Sequence, residues 1–269
     1  MRLKNQVVVI TGAAGLLGKE HALAVLSQGG SVALIDIQSE VLFEFADQLE
    51  KSEKSRTRIY ECDITDETKI INVSKAIENE LGVVSGLVNN AAINPSVEHG
   101  REKFTRFEDF SVEVWNLEVA VGLTGAILCS QIFGQAMVKN KVAGSLVHIA
   151  SDHGLIAPNQ NLYKIAGVPS EEQPTKPVSY SVIKHGLIGL SRYLATYWSQ
   201  YNIRSNALCP GGVRNGQNES FLAEFSKLVP LGRAAEPNEY HGALIFLLSN
   251  ESSYMTGATL VVDGGRSTW

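Results

Sequence analysis

Short runs of apolar, often β-branched residues alternate along the chain with longer segments of helical periodicity. Segments with helical patterns include Leu16–Ser27, Asp66–Leu81, Val112–Lys139 and a stretch from Tyr180 to about Gln200. Apolar strands separated by helices are typical of a parallel sheet covered on both faces. The pattern therefore predicts an α/β, doubly wound fold in a single domain, residues 1–269. The runs predicted to be strands are Val7–Ile10, Val32–Asp36, Arg58–Cys62, Ser85–Asn89, Ser145–Ala150, Ile203–Leu208 and Ala258–Val262.

The turn after the first strand is rich in glycine and opens a helix. It reads Thr11-Gly12-Ala-Ala-Gly15-Leu-Leu-Gly18. Glycines at such a turn let the backbone approach a pyrophosphate, which then sits at the positive end of the helix. The second strand ends in Asp36, whose carboxylate is placed to bond the adenosine ribose of NAD and to repel the 2′-phosphate of NADP. Neither Gly15 nor Ile37 carries a charge that would receive that phosphate, so the predicted cofactor is NAD.

Tyr180 and Lys184 lie four residues apart in a predicted helix, so their side chains share one face. A free tyrosine has a pKa near 10. A lysine cation close by favours the phenolate and lowers that pKa, which would make Tyr180 a usable acid and base. Ser151 ends the fifth strand, at the sheet edge where such folds bind ligands. Taken alone, the Tyr180–Lys184 spacing also fits an ordinary amphipathic helix.

Together these motifs resemble the short-chain dehydrogenase/reductase family over nearly the whole chain. The resemblance implies a seven-stranded Rossmann sheet and hydride transfer between a nicotinamide ring and a carbinol or carbonyl carbon. It implies Ser151, Tyr180 and Lys184 as the catalytic residues, with Asp63 at the adenine ring and Asn90 in the ribose region. The marks of the resemblance are Thr11–Gly18, Asp63, Asn89-Asn90-Ala91, Ser151, Tyr180, Lys184, Pro210-Gly211 and Asp263-Gly264-Gly265. The implied cofactor contacts are Gly12, Gly15, Leu17, Gly18, Asp36, Ile37, Asp63, Ile64, Asn90, Ala91, Lys184, Pro210, Gly211 and Val213.

Three positions depart from the family pattern. The glycine spacing matches the sugar-nucleotide branch of the family more closely than the usual motif. Gly122 stands where the family has a catalytic Asn, although the backbone carbonyl that binds a relay water remains. Asn215 stands where a Thr commonly bonds the nicotinamide amide. These departures leave cofactor binding intact and put the rigidity of the proton relay in question.

Two segments are predicted to border the site. Residues 158–177 are an insertion with four prolines, predicted to form an extended loop that begins and ends beside the catalytic groups. This loop is either a substrate contact or a neutral surface insertion. Tyr163 lies 12 residues after Ser151 but has Gly167 instead of lysine four residues on, so Tyr180 is preferred. Residues 211–232 are predicted to form a substrate lid, although its aromatic residues also fit a short core helix.

The substrate is predicted to be a small polar molecule. His153 and Arg214 are the candidate substrate residues, although His153 also fits a simple loop position. The polar set around the predicted pocket favours a sugar or sugar phosphate over a steroid or fatty acyl chain. The insertion and the Gly-Gly-Arg-Ser-Thr-Trp ending resemble bacterial oxidoreductases of flagellin modification and nonulosonic-acid synthesis. That polar set is Asn94, His99, His153, Asn159, Arg214, Asn215 and Asn218.

The composition mainly excludes classes of function. The net charge of −5 and the absence of basic runs give no footprint for nucleic acid or a membrane surface. Cys62, Cys129 and Cys209 are too widely spaced for a disulfide framework or a metal site, which favours the cytoplasm. No stretch is predicted to have the length of a membrane span. By resemblance, the protein is a homotetramer or homodimer.

Two other functions fit parts of the sequence. Gly122 would allow a catalytically idle NAD-binding sensor or scaffold, against which Ser151, Tyr180 and Lys184 argue. The glycine spacing would allow a sugar-nucleotide epimerase or dehydratase, but the short segment after Pro210 leaves no room for the substrate domain of that branch.

Overall fold

A computed structural model describes residues 1–93 and 106–269. Seven parallel strands form one sheet in the order β3-β2-β1-β4-β5-β6-β7. The predicted α/β Rossmann fold is confirmed, and each predicted strand is present with its ends moved by two residues or fewer. The strands are β1 (Val7–Thr11), β2 (Ser31–Asp36), β3 (Thr57–Glu61), β4 (Gly86–Asn89), β5 (Gly144–Ile149), β6 (Ile203–Pro210) and β7 (Thr259–Val262).

Helices pack on both faces of this sheet. Two helices after β2, of nine and four residues, were not predicted. The helices are α1 (Leu16–Ser27), α2 (Ser39–Asp47), α3 (Lys51–Lys54), α4 (Glu67–Glu80), α5 (Val112–Val119), α6 (Gly125–Lys139), α7 (Val178–Tyr197), α8 (Glu219–Ser226) and α9 (His241–Leu248).

Alternate residues of β1 pack in two separate cores. Val8 and Ile10 of β1 pack in the cluster formed with α1 and α9. Val7 and Val9 pack in the cluster formed with α4 and α6 on the other face. Successive side chains of a strand point to opposite faces, so one buried strand holds both helix layers. This arrangement fixes the carboxyl ends of β1, β4, β5 and β6 side by side.

The long predicted helix Val112–Lys139 is α5 and α6 joined by a π-helical turn, Ala120–Thr124. By length and composition alone it could cross a membrane, so the expectation that no stretch has that length is wrong. Cys129, Phe133 and Met137 of α6 are buried against the sheet. This packing is that of a core helix.

The inserted segment, residues 158–177, contains two short 3-10 turns, Gln160–Tyr163 and Ser170–Glu172. The Gln173 side chain ties the segment together, because its amide nitrogen donates to the carbonyls of Ile165 and Val168 at 2.9 and 2.7 Å.

Candidate active site

A cavity of about 940 Å³ opens at the carboxyl edge of the sheet and receives most of the predicted site residues. Gly18 and Arg214 do not line it; of the predicted polar set, Asn215 lines it, but Asn159 and Asn218 do not. Asn94 and His99 lie outside the described residues. The predicted residues that line the cavity are Gly12, Gly15, Leu17, Asp36, Ile37, Asp63, Ile64, Asn90, Ala91, Ser151, His153, Tyr180, Lys184, Pro210, Gly211 and Val213.

Two glycines where β1 leads into α1, Gly12 and Gly18, have no room for a side chain. Gly12 has a φ of 63°, and a Cβ there would lie 2.6 Å from the Cα of Ala91. A Cβ on Gly18 would lie 2.3 Å from the carbonyl oxygen of Gly12. Gly18 therefore serves the close packing of helix on turn and makes no cavity contact. No side chain caps the start of α1 and its first turn has no acidic residue, so its N–H groups suit a pyrophosphate.

The acidic residues at the far end of the cavity are held by the backbone. Asp36 accepts N–H hydrogen bonds from Ala14 and Gln38, each at 3.0 Å. Asp63 accepts from the N–H and hydroxyl of Thr65 at 2.9 and 2.7 Å, and these bonds lower the pKa of its carboxyl group. Two fixed carboxylates beside the glycine turn match the adenosine half of NAD.

Asn90 joins the glycine turn to the end of β4. Its side-chain amide donates to the carbonyls of Thr11 and Gly12, both at 3.0 Å. The backbone N–H groups of Asn90 and Ala91 donate to the Thr11 hydroxyl at 3.1 and 3.2 Å. Asn90 therefore fixes the turn in addition to lining the cavity.

Ser151, Tyr180 and Lys184 meet at the opposite end of the cavity. Ser151 follows β5, and Tyr180 lies in the first turn of α7, where the Ser151 hydroxyl lowers its pKa. The Lys184 ammonium lies 5.6 Å from the centre of the Tyr180 ring and donates to the carbonyl of Ile149 at 2.7 Å. The structure thus brings together the three residues predicted to be catalytic.

Burial dominates the protonation of this group. It raises the pKa of Tyr180 to about 12, with a smaller lowering by the bond to Ser151. Burial also lowers the pKa of Lys184 to about 8. In the free protein, desolvation moves the pKa of Tyr180 upward, opposite to the direction expected from a neighbouring lysine cation.

Two charged residues that the sequence did not single out also lie at this end of the cavity. Asp152 accepts the hydroxyl of Ser151 at 2.8 Å, and Arg266 donates to the other Asp152 oxygen at 2.5 Å. Both charged side chains are almost fully buried. The Asp263-Gly264-Gly265 motif was noted, but nothing in the sequence indicated that the next residue reaches β5.

Other side chains surround Tyr180. The ring of His153 meets it edge-on at 5.9 Å, and burial lowers the pKa of His153 to about 4. The ammonium of Lys176, from the inserted segment, lies 4.1 Å from the centre of the Tyr180 ring. Sequence reasoning missed Lys176, although it is the last cation before α7.

The predicted lid residues divide into two groups. Leu222 and Phe225 of α8 are buried in a small cluster and also line the cavity. Arg214 instead lies at the surface and pairs with Glu236 at 3.1 Å. Arg214 is therefore not brought to the candidate substrate region.

The comparisons with known proteins all find reductases or dehydrogenases. A family model described as enoyl-(acyl carrier protein) reductase matches residues 12–267. An NADH-dependent L-xylulose reductase from Ambrosiozyma monospora is 32% identical over 287 residues, covering 100% of this chain and 97% of that protein. A ribulose-forming D-arabinitol 2-dehydrogenase from Candida albicans is 32% identical over 289 residues, covering 100% and 95%. A crystal structure of a short-chain dehydrogenase from Leptospira borgpetersenii with bound NAD+ has a TM-score of 0.85 at 28% identity, covering 99% of this chain and 94% of that chain.

Proposed function

Because the chain belongs to the short-chain dehydrogenase/reductase family, we propose that it is an NAD-dependent oxidoreductase acting on a polyol or a related sugar-like substrate. Hydride would pass between the nicotinamide and a carbinol or carbonyl carbon. The observation that carries this proposal is that Ser151, Tyr180 and Lys184 line one end of a cavity whose other end is formed by the glycine turn, Asp36 and Asp63. The sequence-based prediction of an NAD-dependent enzyme acting on CH–OH groups is confirmed by the activities of the relatives.

The preference for NAD rests on Asp36 and its surroundings. The carboxylate is fixed beside the glycine turn and faces the cavity. Its neighbours Gly15, Ile37 and Gln38 carry no positive charge. A 2′-phosphate placed there would meet a like charge with no compensating cation.

Tyr180, Ser151 and Lys184 would carry out the proton transfer. Bound NAD supplies the ring carbon that exchanges hydride. In reduction, Tyr180 donates its proton to the substrate oxygen, for which the raised pKa keeps it in the correct form at neutral pH. Ser151 hydrogen-bonds the same oxygen and stabilises charge that develops on it. Lys184 would hold the cofactor ribose and favour the phenolate needed in oxidation.

The preference for a hydroxylated substrate rests on the polar groups beside Tyr180. His153 and Lys176 flank the tyrosine ring, while Phe221 and Phe225 form the apolar wall contributed by the proposed lid, residues 211–232. A small polyol fits a pocket with several hydrogen-bonding groups and one apolar wall. The relatives' substrates, L-xylulose and D-arabinitol, are of this class.

A substrate panel tests this proposal. The purified protein is mixed with NAD or NADP and with C4–C6 polyols, sugar phosphates, a nucleotide sugar and, for the reverse direction, ketoses and crotonyl thioester with NADH. Polyol-dependent NADH formation, with little NADP turnover, is the expected result. Tightly retained cofactor with no net NADH change would instead favour an epimerase, and NAD binding without turnover of any compound would favour a sensor. Turnover of the enoyl thioester alone would also contradict the proposal.

We also propose that the protein is cytoplasmic and forms a homodimer or homotetramer through α5, α6 and α7. These helices carry exposed apolar side chains that suit a subunit contact. Light scattering coupled to gel filtration tests the assembly, and a monomer at micromolar concentration would contradict it. The exposed side chains are Val112, Leu117, Ile127, Val182, Tyr193 and Tyr197.

A further inference from the structure

Arg266 is carried into the active site by the turn that follows β7. Asp263 accepts the N–H groups of Gly265 and Ser267 at 2.9 and 2.8 Å. Gly264 and Gly265 have φ values of 67° and 89°, a region that glycine adopts without strain. The turn reverses the chain and leaves Arg266 only 5% exposed.

The guanidinium of Arg266 contacts the turn that carries Ser151. Its Nη1 donates to Asp152 Oδ2 at 2.5 Å and lies 3.2 Å from His153 Nε2. Arginine has donors only, so His153 Nε2 accepts and the imidazole is neutral. This matches the pKa of His153, which burial lowers to about 4.

Asp152 links Arg266 to the hydroxyl of Ser151. Its Oδ1 accepts the hydroxyl of Ser151 and the N–H of His153, both at 2.8 Å. Because a carboxylate only accepts, Ser151 donates to Asp152, and its oxygen accepts the N–H of His153 at 3.2 Å. Arg266 holds the other oxygen of the carboxylate that accepts the Ser151 hydroxyl.

The same guanidinium touches the proposed lid. Its central carbon lies 5.2 Å from the centre of the Phe225 ring of α8. Phe225 is itself buried against Leu222 and Val229. Arg266 therefore contacts both Asp152 and a residue of α8.

We propose that Arg266 is a positioning residue for the reaction: it holds and neutralises the Asp152 carboxylate, so that negative charge can form on the Tyr180 oxygen. This proposal rests on the proposed oxidoreductase function. Without Arg266, an unpaired carboxylate would lie one hydrogen bond beyond Ser151 and would oppose the phenolate of Tyr180. The charges of Asp152 and Arg266 act on the pKa of Tyr180 in opposite directions, which agrees with this account.

The sign of two pH shifts tests the proposal. Among the described residues, the titratable and charged groups around Tyr180 are Asp152, His153, Lys176, Lys184 and Arg266. Arg266→Met leaves the carboxylate unpaired, so the acid limb of kcat/KM for polyol oxidation should move to higher pH by about one pH unit. Asp152→Asn leaves the cation unpaired, so the limb should move to lower pH. The double variant should return near the wild-type profile, and Arg266→Lys should shift less than Arg266→Met.

Opposite shifts are not expected from a role in folding alone. Thermal unfolding and NAD affinity of each variant identify any loss of fold. Unchanged pH profiles in both single variants would overturn the proposal. So would a raised KM without a pH shift in Arg266→Met, because that result would make Arg266 a substrate-binding residue.

A second readout does not need turnover. Tyrosinate absorbance of the cofactor-free protein after a rapid jump to alkaline pH, minus that of Tyr180→Phe, follows ionisation of Tyr180. Ionisation should begin at lower pH in Asp152→Asn and at higher pH in Arg266→Met. If wild-type protein oxidises no polyol, the proposed function fails. If these midpoints do not move, the role of Arg266 fails.

Discussion

Ile183 occupies the space that any side chain at Gly122 would need. A Cβ on Gly122 would lie 2.9 Å from Ile183 Cγ2, and both residues are buried. Gly122 lies in the π-helical turn between α5 and α6, and Ile183 precedes Lys184 in α7. The family's Asn is therefore not merely missing here, because its place is filled from the neighbouring helix.

This relationship predicts that restoring the family residue is harmful. Gly122→Asn should lower the free energy of unfolding by about 1–3 kcal/mol, because it overpacks a buried contact. Adding Ile183→Ala should recover part of that loss by making room. Gly189→Asn is the control, since among the described residues nothing beyond the neighbouring residues and backbone of its own helix lies within 4 Å of a Cβ at that exposed position. Urea unfolding of the wild type and of these three variants gives their free energies of unfolding. Equal stabilities of Gly122→Asn and the control would contradict the packing account.

Cofactor choice is predicted to depend on Asp36. Removing its charge-assisted bonds to the ribose, as in Asp36→Ala with Ile37→Arg, should lower kcat/KM with NAD by about 10- to 100-fold and raise it with NADP. Asp63→Asn is the matched control, because the adenine end is common to both cofactors and both should be affected alike. Initial rates with each dinucleotide decide the matter. An unchanged NAD-to-NADP ratio in the double variant would show that Asp36 does not select the cofactor.

The pH dependence should differ between the two directions. Burial raises the pKa of Tyr180 to about 12 in the free protein. Oxidation needs the phenolate, so kcat/KM for the alcohol should rise with pH through the alkaline range. Reduction needs the protonated phenol, so it should stay level and fall only above that pKa. Initial rates from about pH 6 to about pH 10 test the signs. Faster alcohol oxidation at acidic pH would be incompatible with Tyr180 as the base.

His21 is predicted to make the fold sensitive to acid. It is fully buried, neither ring nitrogen has a partner among the described residues, and burial lowers its pKa to about 3. The unfolded chain binds a proton at this position near pH 6.5, so the stabilisation is present above that pH and is lost as the pH falls toward 3. One such histidine costs about 2 kcal/mol between pH 7 and pH 5.

The His21→Leu variant tests this. It should be at least as stable as wild type at pH 7, since it removes unpaired buried nitrogens, and should lose less stability at pH 5. The exposed His185→Leu variant should follow the wild type. Urea unfolding at both pH values gives the comparison, and parallel losses in all three proteins would rule out His21 as a source of the sensitivity.

The sequence predicted the sheet and most of the cavity because those features depend on local patterns. Apolar strands, glycines at a strand-to-helix turn and the spacing of Tyr180 and Lys184 are all readable over a few residues. The protonation balance was not readable, since it depends on how deeply Tyr180 is buried. The pairing of Asp152 with Arg266 joins residues 114 positions apart, and no local pattern carries that information. Arg214 illustrates the converse: it is close to the site in sequence, but its side chain pairs with Glu236 at the surface.

The most direct test is polyol-dependent reduction of NAD by wild type and by Tyr180→Phe, followed as NADH absorbance under saturating NAD. The two proteins should bind NADH equally, because the hydroxyl is the only group removed. The account predicts that kcat falls by about 10²- to 10⁴-fold in Tyr180→Phe. Equal turnover by the two proteins would contradict it.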